Sequence, residues 1–261
     1  MKIFQDRVAV ITGAASGIGR ALSLQLLDAG AVVYACDLNE PALQEMAETS
    51  RDRLIPARLD VTDQAAVEAT LAEAMATHER LDYVFNNAGI VVGGAFENMD
   101  EAAWKKIVNI NFWGVVYGSQ QAYRLMKQQG FGHIVNTAST AGVTPVALST
   151  AYAATKHAVV GLSTSLREEG RAHGVQVSVA IPGLVDTNIF GSATNLKGHD
   201  YQAAVDKVPI GKISPEQAAQ AMLRGVRKNK PYIVFPGYNR FLVKAYRMAP
   251  DWMGRLINQA N

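Results

Sequence analysis

Tyr152 and Lys156 stand four residues apart in a stretch, 151–172, that reads as a helix. That spacing puts both side chains on one helix face. A phenol can work as general acid and base when its pKa falls from about 10 toward 7–8, a change of about 3–4 kcal/mol. A neighbouring ammonium is the obvious source, because an opposite charge favours the phenolate. Ser139 lies thirteen residues before Tyr152, just past the apolar run His133–Ala138, where a hydroxyl can hold a substrate oxygen. The chain also holds a decoy of the same spacing, Tyr123 and Lys127. Thirteen residues before Tyr123 stands apolar Ile110, so that pair lacks a matching hydroxyl and reads as surface.

A second cluster has the chemistry of phosphate binding. Thr12-Gly13-Ala14-Ala15-Ser16-Gly17-Ile18-Gly19 follows the apolar run Val8–Thr12 and opens a helical stretch, 17–29. Glycines there let the backbone turn tightly and approach a pyrophosphate, and the helix N-terminus supplies free N–H groups and a positive dipole end. The spacing is G-x-x-x-G-x-G, not the G-x-G-x-x-G fingerprint of dinucleotide folds. Asp37, 24 residues after Gly13, closes the next apolar run, where an acid can accept bonds from an adenosine ribose. Asp60 closes the third run in the same way. The plain alternatives are a ligand-free glycine turn and a strand-end turn former at Asp37.

The elements that would carry these groups alternate. Apolar runs at Val8–Thr12, Ala31–Cys36, Leu54–Leu59, Leu81–Phe85, His133–Ala138, Val175–Ile181 and Tyr232–Phe235 suit strands buried on both faces of a parallel sheet. Residues 17–29, 63–78, 101–128, 151–172 and 215–229 read as helices, the last opened by Ser214 and Pro215. Seven strands and about six helices predict a doubly wound α/β fold, one domain over 1–261. Residues 187–212 lack a strong pattern and are expected to form a substrate loop, and 240–261 a C-terminal extension.

Composition closes off other classes. The 261 residues are 49% hydrophobic and 18% charged, which excludes a disordered chain. The single cysteine, Cys36, excludes a disulfide framework, and the five histidines show no metal-ligand spacing, so no metal is expected. A polar N-terminus and the lack of an 18-residue apolar run point to the cytoplasm. Net charge is +2, yet from Lys212 onward nine basic side chains face two acidic ones. No nucleic-acid-binding motif accompanies that basic tail.

Taken together, Thr12-Gly13-x-x-x-Gly17-x-Gly19, Asn86-Asn87-Ala88-Gly89, Asn111-Phe112-Trp113-Gly114, Ser139, Tyr152-x-x-x-Lys156 and Pro182-Gly183-x-x-x-Thr187 resemble the short-chain dehydrogenase/reductase family in order and spacing over about residues 5–190. The resemblance implies a Rossmann sheet that binds NAD(H) or NADP(H). It implies Tyr152 as acid/base, Lys156 as holder of the nicotinamide ribose, Ser139 as the group orienting the reacting oxygen and Asn111 as holder of a proton-relay water. Asn109 competes with Asn111, but the family pattern sets its asparagine three residues before a glycine, here Gly114. Carried over as cofactor contacts are Gly13, Ser16, Gly17, Ile18, Gly19, Asp37, Asp60, Val61, Asn87, Gly89, Tyr152, Lys156, Pro182, Gly183, Val185 and Thr187.

The expected activity is hydride transfer between NAD and a small-molecule alcohol or carbonyl, by preference an apolar secondary alcohol or ketone, since the 187–212 segment carries Ile189, Phe190, Leu196 and Tyr201. Asp37 favours NAD over NADP, and the NADP-associated cations are missing: Ser16 precedes Gly17 and Leu38 follows Asp37. The rivals are an NADPH-dependent carbonyl reductase and a non-catalytic NAD-binding regulator. The resemblance also implies a homodimer or homotetramer. The apolar set of the tail, Phe241, Leu242, Tyr246, Met248, Trp252, Met253 and Leu256, is expected against another subunit, with a membrane-facing helix as the rival.

Overall fold

Every residue of Val8–Thr12 is buried, and the run forms a strand at the middle of a parallel sheet. The computed structural model describes residues 2–50, 53–208 and 211–258. In chain order they form β1 (Val8–Thr12), α1 (Gly17–Asp28), β2 (Val32–Asp37), α2 (Glu40–Glu48), β3 (Leu54–Arg58), α3 (Gln64–His78), β4 (Tyr83–Asn86), β5 (Val92–Gly93), α4 (Glu101–Val108) and α5 (Gly114–Gln129). There follow β6 (Gly132–Thr137), α6 (Thr150–Gly170), β7 (Val175–Pro182), β8 (Thr194–Asn195), α7 (Tyr201–Asp206), α8 (Pro215–Arg227), β9 (Tyr232–Phe235), α9 (Gly237–Met248) and α10 (Pro250–Asn258).

Seven strands pair in the order β3-β2-β1-β4-β6-β7-β9, all parallel, with Val8 opposite Val32 and Ala9 opposite Tyr83. Side chains alternate between the faces, as the strand period requires. Ala9 and Ile11 pack under α1, α2 and α8 with Leu22, Leu26, Met46 and Met222. Val8 and Val10 pack under α3 and α5 with Val67, Leu71 and Met126. The sheet winds outward in both directions from the β1–β4 pair, which leaves a crevice at the carboxyl ends of those strands. The fold is therefore the doubly wound α/β sheet expected, in one Rossmann-like domain.

The elements depart from expectation in three places. Helix α2 is absent from the helices expected, although Asn39 accepts from the N–H of Ala42 and Pro41 sits in its first turn. The helix expected over 101–128 is two helices joined by a π turn, Asn109–Trp113. The 187–212 segment is partly structured: β8 pairs with β5, and α7 is capped by Asp200, which accepts from the N–H of Ala203. Residues 209 and 210 of that segment lie outside the described residues. Among the described residues no helix is long and apolar enough to cross a membrane.

Candidate active site

The glycine loop connects β1 to α1 at the sheet's carboxyl edge. Gly13 and Gly17 hold φ of +69° and +51°, a region side chains disfavour. A Cβ on Gly19 would lie 2.0 Å from the carbonyl oxygen of Gly13, so only glycine lets the helix start this close to the loop. Ser16 is the N-cap residue but makes no side-chain cap, which leaves the first N–H groups of α1 without a cap partner from the chain. The loop is tied to β2: Ala14 donates to the carbonyl of Cys36, and the N–H of Ala15 donates to Asp37 Oδ2 at 3.1 Å. The N–H of Asn39 donates to Asp37 Oδ1 at 3.0 Å. Asp37 thus does form a strand-end turn, and it also lines the crevice beside Gly13, Ser16, Gly17 and Ile18.

That crevice is one cavity of about 690 Å³ running from the glycine loop to Tyr152. Asp60, Val61, Asn87, Gly89, Ser139, Lys156, Pro182, Gly183, Val185 and Thr187 all line it. Asn111 does not. Its side chain is buried in the π turn, where Oδ1 accepts from the N–H of Ile90 at 2.8 Å and Nδ2 donates to the carbonyl of Ile90 at 2.9 Å. The amide clamps the loop after β4. Asn87 is likewise committed: its Nδ2 donates to the carbonyl of Thr12 at 3.2 Å, while Thr12 Oγ1 accepts from the N–H groups of Asn87 and Ala88.

The tyrosine and lysine lie on α6 as the spacing requires. Lys156 is buried, and its ammonium donates to the carbonyl of Thr137 at 2.9 Å. Burial pushes its pKa down to about 8. The ammonium lies 5.7 Å from the centre of the Tyr152 ring. Tyr152 and Ser139 line the same cavity. Burial pushes the Tyr152 phenol above the ordinary value, the Ser139 hydroxyl opposes that, and neighbouring Tyr201 adds to it. In the protein alone desolvation dominates, because burial penalises the phenolate.

The turn Thr140–Gly142, which follows Ser139, lies against α6. A Cβ on Gly142 would come within 2.6 Å of the carbonyl oxygen of Lys156. Ser139 Oγ caps that turn by accepting from the N–H of Ala141. Gly89 fills the remaining gap, since a Cβ there would lie 3.2 Å from Asn111 Oδ1 and 3.3 Å from Lys156 Nζ.

Sequence reasoning missed several supports. The carbonyl of Thr137 is one. A buried network is another: Asn86 Nδ2 donates to Asn136 Oδ1 at 2.8 Å and to Ser119 Oγ, and Asn136 Nδ2 donates to Ser163 Oγ, locking α5 and α6 onto the sheet. Over the substrate end, Ser149 Oγ donates to the Tyr201 hydroxyl at 3.0 Å, and Phe190 stacks on Tyr201. His133 is a core histidine, paired with Ser178 Oγ and pushed down to about 3 by burial. Cys36 is buried, with its thiol pushed up to about 12. Tyr123 donates to the carbonyl of Glu169, away from the cavity. Among the described residues no cluster of metal ligands occurs.

The chain is 36% identical over 224 residues to cis-4-hydroxycyclohexanecarboxylate dehydrogenase of Sinomonas cyclohexanicum, covering 84% of this chain and 88% of that one. The crystal structure of a short-chain dehydrogenase/reductase from Burkholderia phymatum in complex with NAD superposes with a TM-score of 0.87 at 28% identity, covering 100% of this chain and 98% of that one. The closed form of serine dehydrogenase complexed with NADP+ superposes with a TM-score of 0.77 at 30% identity, over 84% of this chain and 88% of that one. Residues 7–197 match the sequence pattern of the short chain dehydrogenases, and the chain belongs to that family of oxidoreductases.

Proposed function

We propose that this protein is an NAD-dependent oxidoreductase acting on an alcohol or carbonyl carbon, by preference an apolar secondary alcohol or ketone, with Tyr152 as acid and base. One observation carries the reading: Ser139, Tyr152 and Lys156 line the same cavity as an uncapped helix N-terminus and a glycine cradle. The cradle fits a dinucleotide, because its backbone comes close where Cβ atoms would collide and the first turn of α1 has no side-chain cap. Gly13, Ser16, Gly17, Ile18 and Gly19 would hold the pyrophosphate. Asp37 would hold the adenosine ribose, Asp60 and Val61 would flank the adenine, and Lys156 would hold the nicotinamide ribose. Asn87, Gly89, Pro182, Gly183, Val185 and Thr187 would wall in the nicotinamide. When bound, that cofactor supplies or takes up the hydride.

The chain's own part is proton handling and placement. Ser139 holds the substrate oxygen against the Tyr152 hydroxyl, and Tyr152 gives up its proton in reduction or takes one in oxidation. Lys156 places a positive charge on the Tyr152 ring and so favours the phenolate. Asn111 acts by holding Ile90, and with it Gly89, against Lys156. Tyr152, Leu184, Ile189, Phe190, Tyr201 and Val205 form an apolar chamber, which supports an apolar substrate. The 36% identical relative is named for a hydroxycyclohexane carboxylate, in keeping with an alicyclic secondary alcohol. Half-exposed Trp113, stacked on Tyr117 at the start of α5, supports a homodimer or homotetramer formed through that helix.

Tyr152→Phe tests the assignment. It should fold, bind NAD and lose at least about 10³-fold in turnover, about 4 kcal/mol of barrier. Tyr123→Phe should keep its rate. Near-normal turnover in Tyr152→Phe overturns the reading.

A further inference from the structure

The tail helices have two faces of different character. Helix α9 turns Tyr238, Asn239 and Leu242 toward the cavity, and α10 adds Met253 to the same lining. Val243 and Met253 are buried. Part of the apolar tail set is therefore spent within the subunit. The outward face is different. Phe241, Met248 and Trp252 are 77%, 87% and 66% exposed, among the most exposed large apolar side chains of the protein. At 3.6 residues per turn, Phe241, Met248, Lys244, Arg240 and Arg247 fall within an arc of about 120° on α9. Arg255 on α10 is also exposed. Against these four cations the two helices carry one acid, Asp251. No ion pair with a described residue neutralises any of the four.

We propose that this face docks on an anionic phospholipid surface, with Phe241, Met248 and Trp252 entering the acyl boundary and Arg240, Lys244, Arg247 and Arg255 meeting the headgroups. An amphipathic helix with exposed aromatics and a basic flank binds such an interface through buried apolar area plus attraction to negative lipid. A second copy of the chain is a poorer occupant on charge. A two-fold contact centred on this face sets Lys244 against its own copy and gathers Arg240 and Arg247 of both copies along one seam, and like charges so placed oppose association. Because the same two helices line the cavity, the docked enzyme would draw on alcohols or ketones dissolved in the membrane. That last step rests on the proposed oxidoreductase activity; the membrane contact does not.

The test is co-sedimentation of the full-length protein with vesicles of phosphatidylcholine alone and with roughly 30% phosphatidylserine added. The anionic vesicles should bind at least about tenfold more protein, and high salt should release it. The triple variant Phe241→Ser/Met248→Ser/Trp252→Ser and the triple variant Arg240→Gln/Lys244→Gln/Arg247→Gln should each lose about tenfold in binding. Both should keep the wild-type rate on a short, water-soluble alcohol, which also shows that they fold. Lys244→Glu alone is the milder variant and should weaken binding in the same direction. Equal binding to both vesicles overturns the proposal. So does a drop in oligomer size by light scattering in the Phe241/Met248/Trp252 variant, which would make a second copy the occupant. Tyr152→Phe should bind vesicles like the wild type, so failure of the catalytic reading and failure of this one are separable.

Discussion

The ammonium of Lys156 donates to the carbonyl oxygen of Thr137 at 2.9 Å, joining α6 to the end of β6. That single bond only partly offsets the cost of burying a charge. A pKa pushed down to about 8 from 10.5 means that the folded protein resists the protonated lysine. The difference corresponds to about 3 kcal/mol.

Lys156→Met should therefore raise stability at pH 7 while abolishing turnover. The gain is smaller than the full cost, because the carbonyl of Thr137 loses its donor, so about 1 kcal/mol is expected. The sign with pH follows from proton counting. Between about pH 8 and 10.5 the unfolded wild-type chain binds more protons at this site than the folded one, so wild-type stability rises with pH there. The advantage of the methionine variant should shrink through that window. Urea midpoints at pH 7, 8.5 and 10 measure it, and a gap that widens with pH would refute the argument.

The phenol of Tyr152 behaves in the opposite sense. Burial raises its pKa above 10, so the folded chain keeps this proton where an unfolded tyrosine has lost it. A tyrosinate absorbance difference between wild type and Tyr152→Phe, both free of cofactor, should stay flat up to about pH 10. Appearance of a tyrosinate band near pH 8 would mean that Lys156 outweighs desolvation. With NAD bound, alcohol oxidation should climb with pH, because oxidation consumes the base form.

Much of this site can be read from the chain because its chemistry depends on spacing. Tyr152 and Lys156 share one face of an α-helix, and the β1 loop declares itself by three glycines between a strand and a helix. What could not be read is where a committed side chain points. Nothing in the residues around Asn111 separates a water-holding amide from one clamped on Ile90, since the partner is 21 positions away and the π turn that aims it breaks the regular period. The Asn86–Asn136 pair is hidden for the same reason, being 50 residues apart. Helix α2 is a different case: Asn39 and Pro41 mark its start, but its nine residues are too few to show a strong period.

Asn111→Ala should cost about 2–4 kcal/mol in stability, since it strands both the N–H and the carbonyl of Ile90. Asn111→Asp keeps the acceptor for the Ile90 N–H but loses the donor to its carbonyl, so it should lie between. Chemical denaturation ranks the three. If Asn111→Ala matches the wild type in stability and loses only turnover, the clamp is not the residue's role.

The proposed preference for NAD rests on Asp37 staying where it is. One of its oxygens accepts from the N–H of Ala15 and the other from the N–H of Asn39, so the carboxylate cannot swing aside for a 2′-phosphate. Each oxygen still has a lone pair for a ribose hydroxyl. A 2′-phosphate brings a charge of about −1.5 to −2 against it. At roughly 5 Å and an effective dielectric near 20, each unit of like charge costs on the order of 3 kcal/mol. Solvent and salt reduce that, so the expected preference for NAD is about 10²-fold, or about 2.7 kcal/mol. The nearest cations do not compensate: Arg58 is paired with Glu40 at 3.6 Å, and Arg20 lies on α1 beyond the loop. Leu38 is 54% exposed and lines the same cavity, so an arginine there would meet the phosphate without disturbing the core. Asp37→Ser with Leu38→Arg should shift the preference toward NADP, at some loss of stability because the N–H of Ala15 loses its carboxylate. The measurement is kcat/KM for each cofactor on one substrate. Equal values in the wild type, or a preference for NADP, would overturn the assignment of Asp37.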